Sequence, residues 1–156
     1  MLGQMALAGP AEAQTGPTFH IFNVIHKKCL GVDNLANGTP AKLFACDMSK
    51  RPGRGDGWEM LKDGHVRHKA SGRCLDVVGK PGKADGAKIQ IWDCEDPGRV
   101  GYQNTDQIWF QTGRCFLNRL SNKCLDVSSG GVVQLWTQDP PPRNGGPTDQ
   151  FWTLQP

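Results

Sequence analysis

Short runs of alternating hydrophobic and polar residues recur along the chain, and clusters of Gly, Asn, Asp and Pro separate them. Residues 66–69 and 88–92 are two such runs, and in the second Ile89 and Ile91 flank a polar residue. A period of two is the pattern of a β-strand, and the separating residues are those that form turns. No segment carries a sustained helical stripe. The pattern therefore predicts an all-β chain of short strands.

Three short motifs occur in the same order three times, so one unit is triplicated. The first motif is Cys-Leu-x-Val, the second pairs Leu or Ile with an aromatic residue, and the third closes on Trp. The three copies of the first motif begin at Cys29, Cys74 and Cys124, and those of the second occupy residues 42–44, 90–92 and 134–136. The three closing tryptophans are Trp58, Trp109 and Trp152. The copies lie roughly 45–50 residues apart, within the range of repeat architectures.

Three all-β repeats could form a small propeller, a three-turn solenoid or a closed barrel of threefold pseudosymmetry. Propellers typically have at least four blades. Closure removes exposed strand edges, which favours the barrel. We place the repeats at about 18–60, 61–111 and 112–156, and we expect the apolar markers Leu75, Leu125, Trp109 and Trp152 to fill the core.

Length and composition agree with one loop-rich β domain. The chain has 156 residues, of which 20 are Gly and 11 are Pro, and 37% are hydrophobic. A chain of this length normally forms one domain with a substantial core. Its net charge of +3 is too small to indicate a nucleic-acid partner by itself. No stretch approaches the roughly 18 consecutive apolar residues of a membrane span, so we expect no membrane insertion.

The first 17 residues differ from the rest of the chain. They are rich in Ala, Gly and Pro and carry one charge, Glu12, within Ala11-Glu12-Ala13. Small residues on both sides of one position are typical of a signal-peptide cleavage site. We interpret 1–17 as the remnant of a secretory leader, with a disordered tail as the alternative, and place the domain at 18–156.

Cysteine usage predicts an oxidising compartment, and hence a secreted or extracellular protein. Cys29 and Cys46 occupy the same repeat positions as Cys74 and Cys94. The repeat therefore predicts two bridges, Cys29–Cys46 and Cys74–Cys94.

The third repeat breaks this cysteine rule because Gln138 stands where the second cysteine should be. The two remaining cysteines, Cys115 and Cys124, lie on the arms of one expected hairpin. Either they form a bridge or they are two free, buried thiols.

A set of polar and aromatic markers recurs in repeats two and three. Each set holds an Asp, a Gln, a Trp and a second Gln: Asp76, Gln90, Trp92 and Gln107; Asp126, Gln134, Trp136 and Gln150. A carboxylate can accept hydrogen bonds from vicinal hydroxyls, and a primary amide both donates and accepts. An indole offers an apolar face to the C–H side of a pyranose ring. The combination predicts a shallow sugar site in each of these repeats.

The first repeat keeps the scaffold markers but loses the polar set. Gly31, Lys42, Phe44 and Asp56 stand at the four positions. Polar markers that vary while the scaffold stays are not required for folding, which points to a function in the other two repeats.

The Cys-Leu-Asp-Val motifs, the Gln-x-Trp elements and the closing Asp-Gln-x-Trp resemble the ricin B-type lectin family. The resemblance covers about residues 18–156. It implies a β-trefoil, an all-β fold of three pseudo-threefold repeats that form a closed barrel capped by hairpins, with up to one sugar site per repeat. The ligands it implies are galactose, N-acetylgalactosamine or related glycans on glycoproteins or glycolipids. It also implies a module that can target a partner toxin or enzyme chain to glycosylated surfaces.

The resemblance assigns roles to particular residues. The hydroxyl-binding Asp falls on Asp76 and Asp126, the stacking aromatic on Trp92 and Trp136, and the first-strand Gln on Gln90 and Gln134. The closing motifs add Asp106 and Gln107, and Asp149 and Gln150. Asp106 and Asp149 stand where the family often has Asn, and a carboxylate cannot donate a hydrogen bond as an amide does.

Other functions were weighed against this one. A glycosidase needs two carboxylates in distinct environments, roughly 5–9 Å apart, whereas the carboxylates here are repeat equivalents, so we expect no enzyme activity. A trefoil that binds protein, such as a protease inhibitor, is the alternative, with 139–147 as its reactive loop. The basic loop 50–56 could contact an anion, but we expect no nucleic-acid binding.

Metal binding was weighed on two histidines. His65 and His68 are three residues apart on an expected strand, which places them on opposite faces and disfavours a shared zinc ion. We therefore expect no metal site and no cofactor.

Overall fold

A computed structural model describes residues 16–113, 115–146 and 148–156. Residues 1–15 of the expected leader lie outside these described residues. Within the described chain, no helix is long and apolar enough to cross a membrane.

The described chain is built from short β-strands, as the alternating pattern predicts. The strands are β1 (His20–Asn23), β2 (Lys28–Gly31), β3 (Lys42–Phe44), β4 (Trp58–Met60), β5 (Val66–His68), β6 (Cys74–Val77), β7 (Ile89–Trp92), β8 (Trp109–Gln111), β9 (Phe116–Asn118), β10 (Cys124–Val127), β11 (Val133–Trp136) and β12 (Trp152–Gln155). Helix α1 (Pro97–Val100) and a 3₁₀ turn (Tyr102–Asn104) interrupt this pattern between β7 and β8. The side chain of Asp96 caps α1 by accepting a hydrogen bond from the N–H of Gly98.

The strands form three antiparallel four-stranded sheets. One sheet has the order β4-β5-β6-β7, the second β8-β9-β10-β11, and the third β12-β1-β2-β3. Each closing Trp therefore begins a sheet whose other three strands belong to the next sequence repeat. In the third sheet β12 pairs with β1, so the last strand of the chain completes the sheet of the first repeat.

Isolated bridges join neighbouring sheets. Phe19 pairs with Trp58, and His65 pairs with Ile108 at the equivalent place one repeat later. Pro40 and Gln90, and Lys88 and Gln134, form a second set of equivalent bridges. This threefold arrangement is the β-trefoil that the sequence predicts.

The core shows the same threefold order. Trp58, Trp109 and Trp152 are almost fully buried. Each indole N–H donates to the backbone carbonyl of the Leu in a Cys-Leu-x-Val motif: Trp58 to Leu30 at 2.8 Å, Trp109 to Leu75 at 3.1 Å and Trp152 to Leu125 at 3.0 Å. The recurrence of these two motifs together along the sequence thus reflects one buried contact made three times, although the two residues are 28, 34 and 27 positions apart in the three copies.

Three disulfides brace the repeats. Cys29 is bonded to Cys46 and Cys74 to Cys94, the pairs that the repeat predicts. The third repeat contains the Cys115–Cys124 bridge, with the Cα atoms 5.8 Å apart. The sequence left this last pair open, and the structure resolves it as a bond across the β9–β10 hairpin.

Candidate functional site

In repeat two, the carboxylate of Asp76 lies where two elements of the repeat meet. Asp76 on β6 is paired in register with Gln90 on β7, and the Gln90 amide donates to Oδ1 of Asp76 at 2.7 Å. The amide of Gln107 donates to Oδ2 at 3.0 Å. Asp76 is only 4% exposed, yet it is one of the residues that line an open cavity. Each carboxylate oxygen accepts one amide hydrogen, and the side chain of Asp106 also interacts with this carboxylate; a carboxylate has acceptor capacity beyond these contacts.

Repeat three reproduces this arrangement. Asp126 on β10 is paired with Gln134 on β11, whose amide donates to Oδ2 of Asp126 at 2.7 Å. The amide of Gln150 donates to Oδ1 at 3.1 Å. Two equivalent sites therefore hold a carboxylate in the same pair of amide contacts.

The second Gln of each set is buried, and both hydrogens of its amide nitrogen are donated to protein groups. Gln107 also donates to the carbonyl of Asp93 and accepts from the N–H of Glu95. Gln150 donates to the carbonyl of Thr137 and accepts from the N–H of Asp139. We expect these two amides to position the carboxylate rather than contact a ligand.

The two tryptophans are partly exposed beside the carboxylates. Trp92 is 42% exposed and Trp136 is 41% exposed, although both are large apolar side chains. A Cβ on Gly38 would lie 3.6 Å from the ring of Trp92, and one on Gly86 would lie 3.9 Å from the ring of Trp136. Each indole therefore rests on a hairpin of its neighbouring segment and keeps apolar surface open to solvent.

Asp106 is tied to the backbone of a nearby loop. Its Oδ2 accepts from the N–H of Gly82 at 2.6 Å, and its Oδ1 accepts from the N–H of Val77 at 3.4 Å. Burial raises the pKa of Asp106 to about 7, and the adjacent charge of Asp76 adds to this effect. The carboxyl thus serves as a loop anchor next to the site.

Asp149 takes the equivalent place in repeat three. Burial, followed by the charges of Asp126 and Asp139, raises the pKa of Asp149 to about 6. Its backbone carbonyl accepts from the side-chain amide of Asn23 at 2.8 Å, as that of Asp106 does from Asn118 at 2.6 Å.

Each site collects three carboxyl groups. Oxygens of Asp76, Glu95 and Asp106 lie within 4.8 Å of one another, and so do those of Asp126, Asp139 and Asp149. Three neighbouring carboxylates repel one another. A hard cation bound by their oxygens would offset this repulsion, and so would a proton on one of them. Burial raises the pKa values of Glu95 and Asp139 as well.

The histidines weighed as a metal pair have other neighbours. Nδ1 of His65 lies 2.8 Å from a carboxylate oxygen of Asp63. In His68, Nδ1 lies 3.0 Å from the hydroxyl of Ser71, and Nε2 lies 3.1 Å from the carbonyl of Gly55. Both ring nitrogens of His68 thus have partners, whereas in His65 only Nδ1 does, and Nε2 of His65 is buried without a hydrogen-bond partner among the described residues.

The first repeat has no comparable arrangement. A Cβ on Gly31 would lie 2.8 Å from the carbonyl oxygen of Gly55 and 3.1 Å from the ring of Phe44. Asp56 lies 3.0 Å from Nδ1 of the buried His20 and accepts from the N–H of Gly53. The space that the carboxylate occupies in the other repeats is filled here by backbone.

The two cavities are also lined by residues that lie outside the recurring motifs. Glu95 and Asp139 each lie one residue after the position of the second repeat cysteine, so alignment of the repeats could have found them. Val78, Lys80 and Asn104 line the repeat-two cavity; they come from segments that differ between repeats, and no repeated signal marks them.

Comparisons with known proteins agree with this architecture. The model of the ricin-type β-trefoil lectin domain matches residues 17–152. The designed threefold-symmetric protein ThreeFoil is 22% identical with a TM-score of 0.68, over 89% of this chain and 98% of that one. The C-terminal half of an earthworm R-type lectin, solved in complex with GalNAc, is 19% identical with a TM-score of 0.66, over 90% of this chain and 98% of its own.

A larger protein also contains this fold. The hemolytic lectin CEL-III is 25% identical with a TM-score of 0.66 over 89% of this chain. The match covers only 30% of the CEL-III chain, so this chain corresponds to less than a third of it.

Proposed function

This chain belongs to the ricin-type β-trefoil lectin family, and we propose that it binds glycans through two sites, one in repeat two and one in repeat three. The observation that carries the proposal is the coincidence, in both repeats, of an amide-held carboxylate with an exposed tryptophan. The carboxylates are Asp76 and Asp126, and the tryptophans are Trp92 and Trp136.

The chemistry of each site suits a pyranose ring. The free lone pairs of Asp76 accept from vicinal hydroxyls, and Gln90, already donating to that carboxylate, offers its carbonyl oxygen to a third hydroxyl. The open face of Trp92 takes the C–H face of the sugar. Asp126, Gln134 and Trp136 supply the same groups in repeat three.

Galactose and N-acetylgalactosamine are the sugars we propose. The family resemblance supports this class, and the earthworm lectin half that shares the fold was solved with GalNAc. Asp106 and Asp149 replace the Asn that the family often carries. Asp106 accepts from the N–H of Gly82 in the loop and from that of Val77 at the end of β6. At repeat two we therefore expect this departure to change how the loop is held rather than which groups contact the sugar.

Two sites on one domain allow bivalent attachment. A monosaccharide meets few hydroxyl contacts and one stacked face on an open surface, so we expect dissociation constants of about 0.1–1 mM, or roughly −4 to −5.5 kcal/mol. Engaging two sugars on one glycosylated surface raises the effective concentration without new contacts.

The role we propose is binding without catalysis. The same carboxylate arrangement occurs twice at equivalent positions, whereas a hydrolase needs one asymmetric pair with separate acid and nucleophile or base roles. Three disulfides within the described chain suit an oxidising, extracellular setting. Such a module can also carry a partner toxin or enzyme chain to a glycosylated surface.

A glycan array with the purified protein tests this function. We expect signals concentrated on galactose- or GalNAc-terminated glycans, and we expect free galactose at millimolar concentration to compete. An array that stays blank for neutral glycans with wild-type protein of native circular dichroism would contradict the proposal.

A further inference from the structure

The cavities of the two repeats differ in size although their inner residues are equivalent. The cavity around Asp76 and Trp92 has a volume of about 700 Å³, whereas the one around Asp126 and Trp136 has about 390 Å³. Because the carboxylate, amide and indole are common to both, the additional volume of the first lies beyond them. Val78 and Gly79 have counterparts in the lining of the smaller cavity, Ser128 and Ser129. The additional volume lies towards Lys80, Pro81 and Asn104, which line the larger cavity without such counterparts.

A longer loop in repeat two makes this outer wall. The N–H of Val78 donates to the carbonyl of Lys88, so residues 79–87 form the loop. The equivalent bond in repeat three runs from the N–H of Ser128 to the carbonyl of Val132 and encloses only residues 129–131. The wall therefore exists in one repeat and is cut short in the other.

The wall is fixed in place at its base. The N–H of Gly82 donates to Oδ2 of Asp106 at 2.6 Å, inside the buried part of the site. A Cβ on Gly82 would lie 2.5 Å from a methyl carbon of Val77 and 2.6 Å from the carbonyl oxygen of Val78. The loop thus folds tightly onto the end of β6 and is braced by a carboxyl group of the same repeat.

The groups on this wall suit a second neutral sugar ring. Lys80 brings an ammonium group that can donate to a hydroxyl, and Val78 and Pro81 bring apolar surface. The amide nitrogen of Asn104 already donates to the carbonyl of Val100 at 2.7 Å, so its carbonyl oxygen is the group that can accept from a hydroxyl. Glu95 closes the inner end with a carboxyl group that can accept from a hydroxyl. Recognition sites of this kind combine apolar contact with a few placed polar groups.

We propose that the outer half of the repeat-two cavity is a second saccharide subsite, which takes the residue linked to the sugar stacked on Trp92. Repeat two then recognises a disaccharide unit, while repeat three recognises a single terminal sugar. This inference rests on the proposed lectin function and adds a difference in ligand length between its two sites.

The test isolates each site in turn. Trp136→Ala leaves repeat two as the working site, and Trp92→Ala leaves repeat three. Galactose, lactose, N-acetyllactosamine and melibiose are titrated into both variants by calorimetry or by competition on a galactose column. In Trp136→Ala, we expect the best disaccharide to bind about fivefold to tenfold more tightly than galactose, since a few net hydrogen bonds suffice for that gain. In Trp92→Ala, we expect each disaccharide to bind within about twofold of galactose.

Wall variants assign the effect to the subsite. In the Trp136→Ala background, Lys80→Ala and Asn104→Ala should each lower the disaccharide preference while galactose affinity stays the same. Val132→Ala in the Trp92→Ala background is the matched control at the end of the short loop: this side chain is 54% exposed and does not line the repeat-three cavity, so its loss should change neither affinity.

The outcomes separate the subsite from the lectin function. Equal disaccharide preference in the two single-site variants, with galactose bound by both, would overturn the subsite and leave the lectin function standing. A preference that Lys80→Ala and Asn104→Ala both leave unchanged would also overturn it. If wild-type protein and both variants bind none of the four sugars, the proposed function fails together with the subsite.

Discussion

The amide nitrogen of Gln107 donates a 3.0 Å hydrogen bond to Oδ2 of Asp76. The contact joins the closing motif of repeat two to its Cys-Leu-Asp-Val motif, 31 residues earlier in the chain. Gln150 makes the same bond to Asp126 in repeat three. The closing motif and the Cys-Leu-Asp-Val motif, which recur together in the sequence, are thus in contact in the structure, and the Gln of the first holds the carboxylate of the second in position.

Removal of this amide should weaken binding at repeat two. Gln107→Ala leaves Oδ2 of Asp76 without its donor and frees the N–H of Glu95, at a cost of about 1–3 kcal/mol for a buried unsatisfied group. In the Trp136→Ala background, we expect galactose affinity to fall about fivefold to tenfold, as measured by calorimetric titration.

The matched control is Gln150→Ala in the same Trp136→Ala background, because that amide serves the other site. Its effect on repeat-two affinity should be negligible. Unchanged affinity in Gln107→Ala would show that the carboxylate does not depend on this amide.

The buried indole bond should be measurable as stability. Trp109→Phe removes the donor to the carbonyl of Leu75 and leaves part of the indole volume empty. We expect the free energy of unfolding to fall by about 1–3 kcal/mol in urea denaturation. Phe110→Ala is the control at the neighbouring position, where the ring is 48% exposed, and it should change stability by about 0.5 kcal/mol or less.

The acidic cluster of repeat three predicts a pH-dependent effect of Asp149→Asn. Burial and the charges of Asp126 and Asp139 raise the pKa of Asp149 from its ordinary value of 3.8 to about 6. The folded state therefore holds this proton more tightly than the unfolded chain. The stabilisation is present below 3.8 and is lost as pH rises through about 6.

Asn removes that titration, so the variant should melt at a higher temperature than wild type near pH 8, by on the order of 1–3 °C. The difference should shrink towards zero near pH 4, where the wild-type carboxyl is largely protonated. Thermal melts at several pH values measure it, and a difference of constant size across this range would argue against the assigned shift.

The first repeat should not accept a sugar site by a single change. In Gly31→Asp, the new Cβ would stand 2.8 Å from the carbonyl oxygen of Gly55, so we expect a loss of about 1–3 kcal/mol from overpacking and no new binding. Gly130→Asp is the control because its Cβ would meet nothing closer than 3.8 Å. A stable Gly31→Asp protein that binds a third equivalent of galactose would refute this.

Much of the fold can be predicted from the sequence because the residues that recur in each repeat are those that make the same buried contacts. Trp109 and Leu75 recur together because the indole N–H of the Trp donates to the backbone carbonyl of the Leu. The Cys74–Cys94 pair recurs as Cys29–Cys46 because the two cysteines are bonded to each other in both repeats. The bond between Cys115 and Cys124 has no counterpart in the other repeats, so the repeat could not decide it. The sequence also did not predict that each sheet combines strands from two repeats. The closing Trp is the last motif of its own repeat in the sequence, but its strand pairs with the strands of the following repeat.

The limits of sequence reasoning at the site have a similar cause. Repetition marks Asp76 and Trp92 but does not distinguish a residue that faces a ligand from one that supports it. The side-chain amide of Gln107 bonds Asp76, Asp93 and Glu95 within the protein, and Asp106 accepts from the N–H of Gly82 in a loop. Lys80 and Asn104 lie in segments particular to repeat two, so only the three-dimensional arrangement brings them to the cavity.

The most direct test of glycan binding at the two sites is retention of the Trp92→Ala/Trp136→Ala variant on an immobilised-galactose column, with Phe110→Ala as the control for loss of an exposed aromatic ring. Stacking on the two indoles carries most of the affinity in this account, since hydrogen bonds to an exposed sugar largely exchange with water at about 0.5–1.5 kcal/mol net. We predict that the double variant keeps the wild-type circular dichroism spectrum and elutes in the void volume, while Phe110→Ala is retained like wild type. Retention of a natively folded double variant to the same extent as wild type would contradict the assignment of both sites.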